Sequence, residues 1–393
     1  MGRPPRRGRA ALALLPCLLP SPALAFERIA VVAPIGERHA ILGKQAVAGA
    51  REALGLPPVE FRFPDPEADT EAEDGAPEGL DPGPGLEDEA VPAFETLDTP
   101  REVQLIVVDD PCRGGEDGAA DGAAVAQTVV EANVDAVVGL LCWSTLEPAL
   151  REGTLDGIPL LTSGVRAGAL TDRRRAEGWD VWRVAPRVED EADRIVRHVM
   201  REWSGQPYAL LDDGTIYGRE LAETVSTELL RLGSEPVMRE TYRPAVSRQF
   251  ALARRIGQAG ATHVLVAGER RDVAIIARDA VAAGLDLTIM GGDAMRAIDD
   301  DVALPAGVEA ILLGPALNSG YRETTRAAVE TLLAAETLAL EKGFSLEDAL
   351  NTGEFDTVIG SVRFDRLGDL RRNLFVHAEW NGERWVPTPG SGG

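Results

Sequence analysis

The sequence predicts an α/β protein made of two lobes, each a largely parallel sheet with helices packed on it. Three observations lead there. Short apolar strands alternate with helices from residue 26 onward. The alternation completes one set by residue 186 and starts again at Val188. The strands are short apolar runs, as expected of strands covered on both faces. Residues 135–145, DAVVGLLCWST, organise the first lobe: a buried strand (Ala136, Val137, Val138), a turn at Gly139, Cys142, then Ser144 and Thr145 opening a helix. Such a strand delivers a loop and a helix N-terminus to the carboxyl edge of its sheet, where backbone N–H groups and hydroxyls hold small anions.

Residues 1–25 stand apart from the fold. Arg3, Arg6, Arg7 and Arg9 precede a short apolar run, residues 10–19, and Ala23-Leu24-Ala25 forms a small-residue cleavage site before Phe26. This is the layout of a secretory signal peptide, with an apolar run too short to span a bilayer. Its loss takes the net charge of the 393-residue chain from −24 to −28 by removing those four arginines. A chain this acidic is a poor binder of nucleic acid or anionic membrane. Of three cysteines, Cys112 and Cys142 remain after cleavage, and an even pair in an exported protein reads as one disulfide, with two buried thiols as the alternative.

In order, residues 26–34 (FERIAVVAP) are a strand ended by a proline, and a helix follows over 42–54. Residues 57–100 carry 14 Asp and Glu against Arg62 alone, with prolines and glycines and no apolar period. That segment cannot bury enough surface to offset its ordering entropy and is expected to be a largely disordered, solvated insertion. Strand 102–109, helix 121–132, the organising strand, the strand and loop 159–167 (PLLTSGVRA) and strand 181–186 complete the first lobe. The second reads as helix 188–203, strand 208–211, helix 218–232, strand 237–242, helix 248–258, strand 263–267, helix 273–283, strand 287–290 and strand 308–313. A long Ala-rich helix spans 321–342. The tail reads as a hairpin around Gly368 and a strand pair turned at Asn381-Gly382. The expected division is 26–186 with 317–352 for the first lobe, and 187–316 with 353–393 for the second.

Signatures of catalysis are missing from the linear sequence. It contains neither a G-x-S-x-G elbow nor a phosphate-binding P-loop. The four histidines (His39, His198, His263, His377) lack metal-ligand spacing, so no cofactor or metal is expected. Two lobes with a cleft between them, by contrast, make a pocket that closes on a ligand by hinge motion.

Several stretches, taken in order, resemble one family. RIAVVAPIG…LGKQAVAGAREAL is similar to the opening strand, substrate loop and first helix of the type I periplasmic binding proteins, in the Leu/Ile/Val branch that feeds ABC importers. DDPC…AVVGLLCWSTLEPA resembles the cysteine pair and the hydroxyl-rich loop after it. IPLLTSGVRAGALT, DDGTIYGRELA and TIMGGDA are similar to further ligand loops, and GSVRFDRLGDLRRNLFVHAEW to the family's tail. The resemblance covers the mature chain apart from residues 57–100. It implies two Rossmann-like lobes joined by a hinge and a ligand held between them. Trp143, Ser144 and Thr145 then stand where the ligand carboxylate is held, with Trp143 in place of the usual serine. Gly164 and Val165 keep the small part of the next loop, while Arg166 replaces a threonine. Tyr217 keeps an aromatic wall, and Asp293 stands where an acid pairs the ligand ammonium. Glu269 and Arg270 occupy positions where aromatics are common, and Leu42 one where some relatives place a lid. The departures at Trp143, Arg166, Glu269 and Arg270 disfavour leucine-like ligands and favour something more polar or acidic. An arginine at 166 can pair a carboxylate bidentately.

The resemblance thus implies a monomeric periplasmic solute-binding protein that takes a small amino acid or related carboxylate or amide and presents it to an ABC-importer permease. Two rivals remain at this point: a sensor or scaffold of the same fold, and a periplasmic enzyme whose nucleophile or metal site the sequence does not reveal.

Overall fold

The structure is a computed structural model of the chain and describes residues 26–36, 40–58, 94–97, 103–296 and 302–389. The expected signal segment 1–25 and most of the acidic stretch 57–100 lie outside the described residues.

The first lobe is built on a six-stranded sheet. Its elements in chain order are β1 (Arg28–Ala33), α1 (Ala40–Ala53), β2 (Phe94–Leu97), β3 (Gln104–Asp109), α2 (Gly115–Glu131), β4 (Ala136–Gly139), α3 (Trp143–Arg151), β5 (Leu160–Thr162), α4 (Ala169–Glu177) and β6 (Val181–Arg183). The sheet order is β2-β3-β1-β4-β5-β6, and all neighbours are parallel except β2, which runs antiparallel to β3. β1 and β4 are buried on both faces, as helix-covered parallel strands require. β2 corrects the expectation of disorder over 57–100 for residues 94–97, because the open edge of β3 offers backbone donors and acceptors that a neighbouring segment pairs.

The second lobe follows as α5 (Val188–Glu202), β7 (Tyr208–Asp212), α6 (Ile216–Arg231), β8 (Met238–Thr241), α7 (Phe250–Gln258), β9 (His263–Ala267), α8 (Arg270–Ala282), β10 (Thr288–Gly291) and β11 (Glu309–Leu313). The chain then forms α9 (Arg322–Lys342), α10 (Leu346–Thr352), the small hairpin β12 (Phe355–Thr357) and β13 (Gly360–Val362), and the terminal hairpin β14 (Phe375–Trp380) and β15 (Trp385–Pro387). The second sheet has the order β15-β14-β11-β10-β9-β7-β8, with β14 and β15 antiparallel at one edge. The α/β class with two lobes and mainly parallel sheets is therefore as the alternation predicts.

The tail changes lobes later than residue 353. Phe355, Ile359, Val362, Phe364 and Leu370 sit in the apolar core that also holds β1, α1 and α9, so only the segment from Phe375 onward joins the second sheet. A buried polar cluster fixes that arrangement. Arg183, fully buried, donates from Nε to Asp369 Oδ1 at 2.9 Å and from its terminal nitrogen to Thr171 Oγ1 at 2.7 Å. Thr171 donates to Asp369 Oδ2 at 2.9 Å, and Arg187 reaches the same oxygen at 2.8 Å. Asp369 thereby neutralises a guanidinium that has no access to water.

Removing one partner of a buried pair leaves an uncompensated charge. Asp369→Ala is expected to lower stability by about 3–5 kcal/mol, read as a fall in the urea midpoint. A change within about 0.5 kcal/mol would show that Arg183 does not depend on Asp369.

Candidate functional site

The carboxyl ends of β1, β3, β4 and β5 in the first lobe, and of β7, β9 and β10 in the second, deliver the loops that carry the expected site residues. β4 ends at Gly139, whose φ of +95° and whose approach to Val32 (an added Cβ would lie 2.2 Å from its carbonyl oxygen) require glycine. Cys142 is the N-cap of α3, and its sulfur is bonded to Cys112 across a Cα–Cα distance of 5.6 Å. Beside this bridge, burial pushes the Asp110 carboxyl up to about 6, against the opposing hydrogen bond from Cys112 N–H at 3.0 Å. The predicted disulfide is therefore present and pins the loop after β3 to the start of α3.

The first turn of α3 leaves the N–H groups of Trp143 and Ser144 without intrahelical partners, the arrangement that suits a carboxylate. Both residues are half-buried, and Trp143 packs against the core of its own lobe. Thr145 is fully buried. Leu42 packs with Ala33, Ala46 and Leu141, close to Cys142 and Tyr321.

The next loop is tied to this one. Thr162 donates to Leu140 O at 3.0 Å and accepts from the N–H groups of Gly164 and Val165 at 3.4 and 3.2 Å. Gly164 lies against Leu141, where an added Cβ would meet Cδ2 at 2.9 Å. The loop then projects Arg166 across to the second lobe.

There Arg166 meets a cluster of buried polar groups. Its guanidinium is ion-paired with Asp293 Oδ2, lies 3.7 Å from Glu191 Oε2, and sits 5.4 Å from the centre of the Tyr217 ring. Asp293 opens a short 3-10 turn after β10 and is 1% exposed. Arg296, one turn on, donates from Nε to both Asp293 oxygens at 3.1 Å, and Leu313 N–H donates to Oδ1 at 2.6 Å. Glu191, in the first turn of α5, accepts from Tyr217 OH at 2.7 Å and from Asp293 N–H at 2.6 Å. Gly292 is needed here, because an added Cβ would lie 2.3 Å from Glu191 Oε1. Arg296 also donates to Gly320 O and lies over Tyr321.

Arg166, Tyr217 and Asp293, expected at the site, are thus brought together. The loops of Trp143–Thr145 and Gly164–Val165 stand at the same sheet edge. Glu269 is the N-cap of α8 and is exposed, while Arg270 is buried with its guanidinium 4.1 Å from the ring centre of Trp380, so neither joins the Arg166–Asp293 cluster. Glu191 and Arg296 were missed. Glu191 hides in the acidic run 189–191, which reads as ordinary helix-start acids, but the Asp293/Arg296 spacing of three residues was a usable signal.

The charges do not balance. Burial disfavours an ionised Asp293, but Arg166 and Arg296 outweigh it and hold the carboxyl below its ordinary range. Burial pushes Glu191 up to about 7, against the pull of Arg166. Two guanidiniums therefore face one firmly ionised carboxylate and one carboxyl driven toward its neutral form. Asp293, expected to receive an ammonium, already accepts from two arginines and a backbone N–H.

The profile of the periplasmic binding protein family matches residues 97–337. The chain belongs to this family. It is 23% identical over 302 residues to the Leu/Ile/Val-binding protein of Escherichia coli (strain K12), covering 71% of this chain and 80% of that one. A leucine-binding protein from Thermotoga maritima superposes with a TM-score of 0.69 at 15% identity, covering 92% and 97% of the two chains. A solute-binding protein from R. palustris, solved with benzoate, superposes with a TM-score of 0.67 at 13% identity, covering 92% and 95%. As a member of this family the chain is a solute-binding protein.

Two measurements check the site. Reduction of the Cys112–Cys142 bridge, which closes a loop of 30 residues, is expected to add two hydrogens to the intact mass and cost about 3–4 kcal/mol; an unchanged mass would exclude the bridge. Glu191 also links stability to pH. Its folded carboxyl holds a proton to about pH 7 that the unfolded chain releases near its ordinary 4.5. Its stabilising contribution is therefore complete below about pH 4.5 and lost as pH rises to about 7. Glu191→Gln is expected to remove that part of the pH dependence of the urea midpoint, and an unaltered profile would contradict it.

Proposed function

We propose that the protein captures a small carboxylate-bearing solute between its lobes, with polar or acidic amino acids and related carboxylates ahead of leucine. The observation that carries this reading is the convergence of two buried guanidiniums, Arg166 and Arg296, on the single carboxylate of Asp293. A ligand carboxylate offers Arg166 a partner equal to Asp293, and Arg166 can take it in bidentate geometry. The N–H groups opening α3 at Trp143 and Ser144 provide a second place for a carboxylate, and Tyr217 walls the cleft from the other lobe. When Arg166 turns to the ligand, Asp293 becomes available to an ammonium group, which accommodates an amino acid as well as an amine-free acid. The relatives' solutes, leucine and benzoate, are themselves carboxylates.

The wider reading is that residues 1–25 direct the chain to the periplasm, that it acts as a monomer, and that hinge closure of two lobes, 26–186 with 317–352 and most of the remainder, prepares it for the permease. The three crossings of the chain between the sheets, before α5, after β11 and before β14, support a hinge there. Contacts with both lobes would make the closed form the high-affinity one.

A thermal-shift screen of amino acids, amides and small carboxylates tests this. A true ligand at 100 times its Kd is expected to stabilise by about 2.7 kcal/mol. Arg166→Ala is expected to weaken that ligand at least about tenfold. Tight binding of leucine that survives Arg166→Ala would sink the reading.

A further inference from the structure

A second polar cluster lies away from the cleft, on the face of the second sheet that α5 covers. His198 of α5, Glu309 of β11 and His377 of β14 converge there, although nothing in their linear spacing announces it. Glu309 Oε2 lies 3.3 Å from His198 Nε2 and 3.4 Å from His377 Nε2. Both nitrogens of His198, Nε2 of His377 and Oε2 of Glu309 are buried and lack a hydrogen-bond partner. His198 is only 5% exposed. Buried polar atoms without partners are costly, and a cation placed among the three side chains would supply one to each.

We propose that His198, His377 and Glu309 bind a divalent transition-metal ion, with Zn2+ as the fitting probe. The chemistry suits it, since two imidazoles and a carboxylate form a recurrent three-ligand set with a fourth position left for water. The separations suit it too. Tetrahedral bonds of about 2.0–2.1 Å place ligand atoms about 3.3–3.4 Å apart. Thr388 Oγ1 sits 2.9 Å from His377 Nδ1 and fixes that ring by its other nitrogen, the outer-shell contact that metal-bound histidines use. The two rings are stacked, with centres 4.1 Å apart and planes 15° apart, so one must rotate for the lone pairs to converge. Thr388 holds the His377 ring by Nδ1, so the rotation falls to His198. Bound metal would clamp α5 to β11 and β14.

The test uses untagged full-length protein stripped with chelator and titrated by calorimetry with ZnCl2 and, separately, MgCl2. One Zn2+ per chain, with no Mg2+ uptake at this site and a rise in melting temperature, is expected. His198→Gln and His377→Gln should each weaken Zn2+ binding at least about tenfold, whereas His263→Gln should not. Co2+ added to the unaltered protein should give visible absorption bands of a low-coordinate nitrogen–oxygen site, a readout that does not depend on a variant folding. No Zn2+ uptake, or uptake untouched by the two substitutions and so carried by the acidic segment, would overturn the proposal. None of these readouts requires the cleft to bind any solute.

Discussion

The contact between Arg166 and Asp293 joins the two lobes, and much of the surrounding structure serves it. A buried guanidinium without a counter-charge is expensive, so Arg166 is tolerated only because Asp293 and Glu191 meet it from the other lobe. Asp293 in turn is held by Arg296 and by Leu313 N–H, at the end of β11. Gly292 clears room for Glu191, and Gly164 lets the Arg166 loop lie against Leu141. In the proposed hinge mechanism, parting of the lobes would return both charges to water. On that reading the contact would be a latch of modest net strength, which a ligand carboxylate would displace by offering Arg166 an equal partner.

Helix α5 links the two polar centres of the second lobe. It starts just after the first crossing between lobes, with Glu191 in its first turn and His198 seven residues on, on the same face and about 10 Å along the axis. β11 does the same from the sheet: Leu313 at its end supports Asp293, and Glu309 at its start faces His198 and His377. A metal ion at the second centre would hold in place the elements on which the solute cleft is built.

The sequence made most of the framework legible because it depends on local pattern. β9 was placed over 263–267 and α9 to within a residue, since an apolar run and an Ala-rich amphipathic stretch declare themselves. α4 was missed because ALTDRRRAE is too polar to show a buried face. β2 was missed because its pairing comes from the open edge of β3 and not from its own composition. At the site, Arg166, Tyr217 and Asp293 were reachable through the order of loops. Glu191 was not, because an acid in a helix's first turn has an ordinary explanation until the fold buries it. Arg270 was placed at the cleft by its position after β9, yet packing turns it onto Trp380. The His198–His377–Glu309 cluster was invisible for a similar reason: its members meet only through the pairing of β14 with β11 and the packing of α5 on both.

The most direct test of the interlobe latch is a double-mutant cycle on the solute-free protein, with Arg166→Ala, Asp293→Ala and the pair, each unfolded with urea. A coupling of about 1–3 kcal/mol between the two positions is predicted, with each single variant more damaging than its share of the pair. Coupling indistinguishable from zero would mean that the two lobes do not meet through these charges, and the account of the cleft would fail with it.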